Sequence, residues 1–313
     1  ISIDFLKAGK TVLCEKPAAR TYAEALTMQQ AQKETGKNLS IGVVNRFNDS
    51  INKIKSMIDA GELGEIYQVY ISFRDHRSIP GLGGAFTTKS QSGGGVLIDW
   101  GIHFLDLILY ILGGAELKSV SANTYCEMAK DMKAYKYKSM WAEDTANIEN
   151  GVNDVDDFVT GYIRTDKASI SFNGAWAQNI NKNEMFIDFL GDKGGARLTY
   201  GKKFEFYDGA TLDTEAPEYD IPNMYLCEDK AFFNSIKTGV KDKNNIVDIK
   251  SEAERHTKGS ILYEQEIATT TNQIAMSKFI RNYLASFCLS GYENMFIRHL
   301  ILQKGIIFSR NLG

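Results

Sequence analysis

The 313-residue chain predicts an α/β protein in two parts, a short segment of parallel α/β type and then an α+β domain on a large, mainly antiparallel sheet with one open face. Three observations carry that prediction. Residues 1–45 alternate helical and strand patterns, the order that builds parallel sheets. Beyond residue 65 come β-branched or alternating runs joined by Gly, Asp and Asn turns. Between them "GGGVLIDWGIHFLDLILYILGG", residues 93–114, reads as one apolar helix bounded by glycines.

Taken in order, "ISIDFLKAGK" is a helix ending in a turn, and "TVLCEKPAA", residues 11–19, is a short strand with Glu15, Lys16 and Pro17 at its carboxyl end. Open α/β sheets bind ligands at that end. A Lys before a φ-locked Pro can point an ammonium at a ligand; the plainer alternative is a solvated surface Lys. Residues 21–37 read as a helix with Thr21 at its N-cap and Ala25, Leu26, Met28 and Ala31 facing inward. "NLSIGVVNRF" is a buried strand, and Arg46 at its end either meets a substrate oxygen or pairs with a nearby Asp. Asp49 is the expected cap of the helix "SINKIKSMIDAGELG".

The strands of the second part are "EIYQVYISFRDHR", "LKSVSANTYCEM", "DDFVTGYIRTDKASISFNGAWA", "EMFIDFLGDKGGARLTYG" and "KFEFYDG". A sheet with helices on one face leaves the other to a partner. "RDHRSIPGLGGAFTTKSQS", residues 74–92, is a long Gly-rich loop running into the apolar helix and is expected to line or cover a pocket, with His76 and Lys89 as candidate contacts. Trp176 is either a sugar-stacking platform or a core residue.

The apolar helix poses the central question. At 3.6 residues per turn Asp99, His103 and Asp106 share one face, and an ionisable group inside an apolar layer costs several kcal/mol unless it is paired or opens on a wet pocket. One reading is a satisfied core pair in which Asp99 holds His103. Another is a general acid/base, a histidine polarised by a carboxylate. A metal site lacks ligands, since there is no HExxH and no Cys cluster.

Composition fits a globular enzyme, with 43% apolar and 24% charged residues. A formal net charge of -3 and the lack of a basic stripe speak against nucleic acid. No charge-free stretch reaches membrane-spanning length, so no membrane partner is expected. Four dispersed cysteines without a CxxC fit reduced thiols and a cytoplasmic location.

Together, "LKAGKTVLCEKP" and the later "GGGVLIDWGIHFLD" resemble the two signatures of the Gfo/Idh/MocA family of NAD(P)-dependent oxidoreductases, over roughly residues 1–245. The resemblance implies that residues 1–45 are the C-terminal part of a Rossmann dinucleotide-binding domain and that 46–245 form a substrate and dimerisation domain. It also implies a missing glycine-rich turn upstream, so the chain is expected to be a fragment, inactive alone. Residues 246–313 depart from the family pattern and are expected to be an atypical tail, produced by a frameshift near Asn245 or by a swapped extension.

By the same resemblance Lys16, Asp99 and His103 are catalytic, Glu15, Lys16 and Pro17 border NAD or NADP, and Lys16, Arg46, Asp99 and His103 bind substrate. The expected reaction moves a hydride between nicotinamide and a hydroxyl-bearing carbon of a sugar, inositol or related polyol. His103 takes the hydroxyl proton, Asp99 orients His103, and Lys16 holds the developing charge. A homodimer or homotetramer through the open sheet face is implied as well. Two alternatives stay open: a redox-neutral glycosidase using the same hydride step, and a non-catalytic remnant that dimerises or binds a ligand.

Overall fold

A computed structural model describes residues 1–19, 22–137, 142, 145–200, 204–219 and 222–246. The expected tail, the frameshift reading and the Thr21 cap lie outside the described residues, apart from Ile246.

The first part is helix α1 (Ser2–Lys7), strand β1 (Val12–Glu15), helix α2 (Tyr22–Thr35) and strand β2 (Leu39–Gly42). β1 and β2 pair in parallel from Val12 with Leu39 to Glu15 with Gly42. On α2, Ala25, Met28 and Ala31 are buried, whereas Leu26 lies on the solvent side. The expected strand through residue 47 stops at Gly42; Val44–Phe47 form a single 3₁₀ turn. Helix α3 (Asp49–Asp59) is capped by Asn48, not Asp49, the Asn48 side chain accepting from the Ser50 N–H at 2.9 Å. Asp49 instead occupies the first turn, where a carboxylate favours the helix dipole.

The second part is one eight-stranded sheet among the described residues. Its strands are β3 (Ile66–Arg74), β4 (Leu117–Tyr125), β5 (Phe158–Thr165), β6 (Ser169–Ala175), β7 (Glu184–Gly191), β8 (Gly194–Thr199), β9 (Phe204–Asp208) and the short β10 (Thr214–Glu215), in the order β10-β9-β8-β7-β3-β6-β5-β4. All neighbours run antiparallel except β3 and β6. The sheet is therefore mixed, with one parallel contact at its centre.

Register puts chemically distinct rows on the two faces. Ala122, Gly161, Phe172, Ile71, Ile187, Leu198 and Phe204 align across seven strands on the inner face. α3, a π turn at Leu97–Gly101 and helix α5 (Ile102–Ile111) cover this face in one continuous core. The row beside it on the outer face runs Ser121, Tyr162, Ser171, Tyr70, Asp188, Arg197 and Glu205. Tyr70 and Tyr162 are 47% and 41% exposed, so this face is the open one expected.

The segment at 74–92 packs closely on the domain. Ile79, Leu82 and Phe86 anchor it in the core, and it contains the short helix α4 (Lys89–Ser92). From Lys89 to Ile111 the helical stretch is long and apolar enough to cross a membrane, but 78% of its most apolar window is buried in the protein. It is the core helix of the domain.

Helix α6 (Met224–Thr238) and the segment to Ile246 return to the first part. Asn245 bridges to Ser40, Gln32 donates to Asn245 Oδ1 at 3.0 Å, and Ile246 is buried.

Candidate active site

Three elements meet at the carboxyl end of β1: the Glu15–Pro17 segment, the 3₁₀ turn after β2, and the start of α5. Asp156 fixes the last of these. Its carboxylate accepts from the N–H groups of Gly95 and Leu97 at 2.9 and 3.3 Å, and its carbonyl from Val96 N at 3.0 Å, which satisfies the opening turn of the helix. A Cβ on Gly95 would run into the Asp156 carbonyl, so this approach requires glycine. Burial raises the Asp156 carboxyl to about 6 despite those hydrogen bonds.

The π turn at Leu97–Gly101 adds a residue to one turn and breaks the i, i+4 alignment of Asp99 with His103. Asp99 accordingly does not hold His103. One carboxylate oxygen accepts from Lys16 Nζ at 3.2 Å, the other from Trp176 Nε1 at 3.2 Å, and the Asp99 carbonyl takes a second bond from Lys16 Nζ at 3.0 Å. Trp176 is 1% exposed and so is a core residue clamping Asp99, with no face free for stacking on a sugar. The Glu15 carboxylate accepts from the Lys16 backbone N–H at 3.2 Å and lies over Gly42 of the parallel neighbour.

His103 faces another element. Its Nδ1 is 3.2 Å from Asn45 Nδ2, which donates to the Tyr200 hydroxyl at 2.8 Å. Phe104 stacks between Phe73 and Tyr200, with ring centroids 5.0 and 4.5 Å apart, and so fixes Tyr200 against the helix. Burial holds the imidazole well below its ordinary range, and the Lys16 ammonium pushes it the same way. His103 is thus a neutral base candidate near the Lys16 side chain.

The polar stripe read from the sequence is divided in space. Asp106, 1% exposed, is gripped by Arg46 through Nε at 3.0 and 2.8 Å and through Nη2, while Arg46 Nη1 donates to the Lys243 carbonyl at 2.7 Å. Burial raises the Asp106 carboxyl, and Arg46 opposes that rise. Arg46 was expected among substrate-binding residues; its guanidinium is instead committed to Asp106 and the return segment. His76 pairs with the Gln178 carbonyl through Nδ1 at 3.1 Å.

The structure therefore joins Lys16 to Asp99 and sets the Lys16 ammonium near enough to His103 to act on it, while Arg46 is held by Asp106. Asn45, Tyr200 and Asp156 were missed by sequence reasoning. Asn45 lies in the 3₁₀ turn, three residues past the end of β2, and nothing local marks it as a partner of His103. An Asp just ahead of a strand pointed to Asp156, whereas nothing local marks Tyr200. Among the described residues no group of three His, Cys, Asp or Glu side chains is arranged to hold a metal.

Comparison with known proteins identifies the family and the fold. Residues 1–43 match the profile described as "Oxidoreductase family, NAD-binding Rossmann fold", and residues 51–197 match the GFO/IDH/MocA C-terminal domain. The D-glucoside 3-dehydrogenase of Escherichia coli (strain K12) is 30% identical over 233 residues, 74% of this chain and 64% of that protein. The scyllo-inositol 2-dehydrogenase (NAD(+)) of Bacillus subtilis (strain 168) is 38% identical over 117 residues, 37% of this chain and 32% of that protein. The chain thus spans less than two thirds of the length of these relatives. An oxidoreductase domain protein from Kribbella flavida superposes with a TM-score of 0.65 at 21% identity, over 90% of this chain and 76% of that one. Levoglucosan dehydrogenase in complex with NADH and levoglucosan gives 0.65 at 20% identity, over 83% and 75%. These two likenesses carry the fold.

Proposed function

Because the chain belongs to the Gfo/Idh/MocA oxidoreductase family, we propose that it is the catalytic part of an NAD(P)-dependent dehydrogenase acting on a hydroxyl-bearing carbon of a sugar, inositol or related polyol. The single observation behind this reading is the meeting of Lys16, Asp99 and His103 at the carboxyl end of a parallel strand pair. The curated relatives whose names denote dehydrogenation of glucosides and inositols support the substrate class.

The residues present fit the nicotinamide end of a dinucleotide: Glu15, Lys16 and Pro17 lie at the carboxyl end of the parallel strand pair, with the Lys16 ammonium bonded to Asp99. NAD or NADP, when bound, accepts or supplies the hydride. The protein's own part is positional and electrostatic. Lys16 Nζ, anchored by Asp99, holds the substrate oxygen and the negative charge that grows on it during oxidation. Asp99, locked by Trp176, keeps the ammonium from swinging out to solvent. His103 presents Nε2 to the substrate hydroxyl, Nδ1 being turned toward Asn45, and takes the hydroxyl proton there in its Nδ1–H form. Its low proton affinity keeps it unprotonated at neutral pH and returns the proton quickly.

The open sheet face, with Tyr67, Tyr70, Tyr162 and Tyr207 exposed, is proposed as the contact of a homodimer or homotetramer. The free thiols of Cys14, Cys126 and Cys227 agree with a cytoplasmic setting.

The test is turnover by the full-length gene product with NAD+ or NADP+ against glucosides, free sugars and inositols, read by nicotinamide absorbance and product analysis. Net cofactor reduction with a ketone product is expected. Glycoside cleavage without net reduction would make the enzyme a redox-neutral glycosidase, and the absence of both would leave a binding module.

A further inference from the structure

Asn45 is 7% exposed and places one amide nitrogen between two partners, Tyr200 at 2.8 Å and His103 Nδ1 at 3.2 Å. An amide nitrogen only donates. In this setting Nδ1 keeps its lone pair and the ring proton sits on Nε2. A histidine in that form offers a substrate oxygen a donor, and it cannot take a proton on Nε2. Proton abstraction needs the other tautomer, with the proton on Nδ1 and an acceptor facing it.

We propose that Asn45, backed by Tyr200, is a positioning residue that selects the tautomer of His103, and so decides whether Nε2 gives or receives a hydrogen bond. With Nδ2 toward the ring it holds the Nε2–H form. With the amide turned over, Oδ1 accepts from Nδ1–H and Nε2 is free to take the hydroxyl proton. Tyr200 serves both settings because a hydroxyl accepts from Nδ2 in one and donates to Oδ1 in the other. Phenylalanine at that position could serve neither. The exchange is balanced: the ring gains one proton on Nδ1 from water and loses the one on Nε2 to water.

The other charged and titratable groups around the ring leave this task to Asn45. Lys16, from the end of β1, can only donate, and Asp99 is occupied by Lys16 and Trp176. Asp106, one turn further along α5, is held by Arg46 from the 3₁₀ turn. Tyr200, at the end of β8, bonds Asn45.

The inference rests on the dehydrogenase reading for its consequence, but its test does not. Full-length protein labelled with ¹⁵N-histidine reports ring-nitrogen shifts without any turnover, the His103 signals being assigned with His103→Gln. Without substrate, wild type is expected in the Nε2–H form. Asn45→Asp, an isosteric acceptor, should convert His103 to the Nδ1–H form. In an active enzyme it should also displace the acidic limb of the kcat/KM profile toward higher pH, since a carboxylate beside the ring favours the imidazolium. Tyr200→Phe keeps the stack on Phe104 and should yield a mixture of tautomers. Unchanged His103 shifts in both variants, or an Nδ1–H form in resting wild type, would overturn the proposal. Converted shifts in a protein without dehydrogenase activity would uphold it and sink only the functional reading.

Discussion

Lys16 and Asp99, 83 residues apart in sequence, are joined by two bonds that the Lys16 ammonium donates, to the Asp99 carboxylate at 3.2 Å and to its carbonyl at 3.0 Å. Their side chains are only 19% and 11% exposed, so the pair is shielded from the screening that makes surface ion pairs weak. Removing Lys16 as Lys16→Met should lower kcat/KM by roughly 10²–10³, the usual loss for one donor to a developing oxyanion. Asp99→Asn retains the shape and should cost less, about tenfold, through a looser ammonium. Steady-state kinetics on the full-length protein separate the two; equal losses would place the chemistry on Asp99 itself.

Arg46 should matter for stability more than for substrate. Arg46→Ala leaves the Asp106 carboxylate buried and unpaired, which typically costs about 3–5 kcal/mol. Arg46→Met with Asp106→Leu, which removes both charges, should recover much of that. Urea denaturation reads both effects, and a large rise in KM without loss of stability would return Arg46 to the substrate site.

How much of this was legible in the sequence follows from the range of the interactions. β1, α2, β3 and the later strands were visible because periodicity and turn residues act within a few positions. Lys16, Asp99 and His103 were visible through two separated signatures. Their pairing was not, because a helical wheel assumes 3.6 residues per turn and the π turn at Leu97–Gly101 violates it just where Asp99 points. The partners of that stripe, Trp176, Asn45, Tyr200 and Arg46, come from other elements and follow only from the three-dimensional assembly. Asn48 rather than Asp49 as the cap of α3 is an ordinary one-residue ambiguity between two good capping residues.

Asp156 should impose a pH dependence on folding. Its carboxyl lies at about 6 in the fold against 3.8 for the ordinary value, so the neutral form is favoured by the folded state. That contribution is complete below pH 4 and is lost as pH rises through 6, an effect on the order of 2–3 kcal/mol. Asp156→Asn is neutral throughout and should flatten the slope of stability between pH 4 and 6 in chemical-denaturation series. A slope equal to that of wild type would assign the dependence to other groups.

On the open face Tyr70 sits at the centre of the outer row, paired in register with Ser171 and Asp188. Tyr70→Arg adds a charge without touching the core and should shift the assembled protein toward smaller species in sedimentation velocity. A wild-type protein that sediments as a monomer at micromolar concentration would end the interface proposal.

The most direct measurement is the turnover of His103→Ala in the full-length protein, with cofactor affinity determined alongside by titration. If His103 takes the hydroxyl proton, kcat should drop by roughly 10²–10⁴ while NAD(H) binding stays near the wild-type value. A His103→Ala enzyme that retains full turnover would contradict the proton-transfer role on which the functional reading depends.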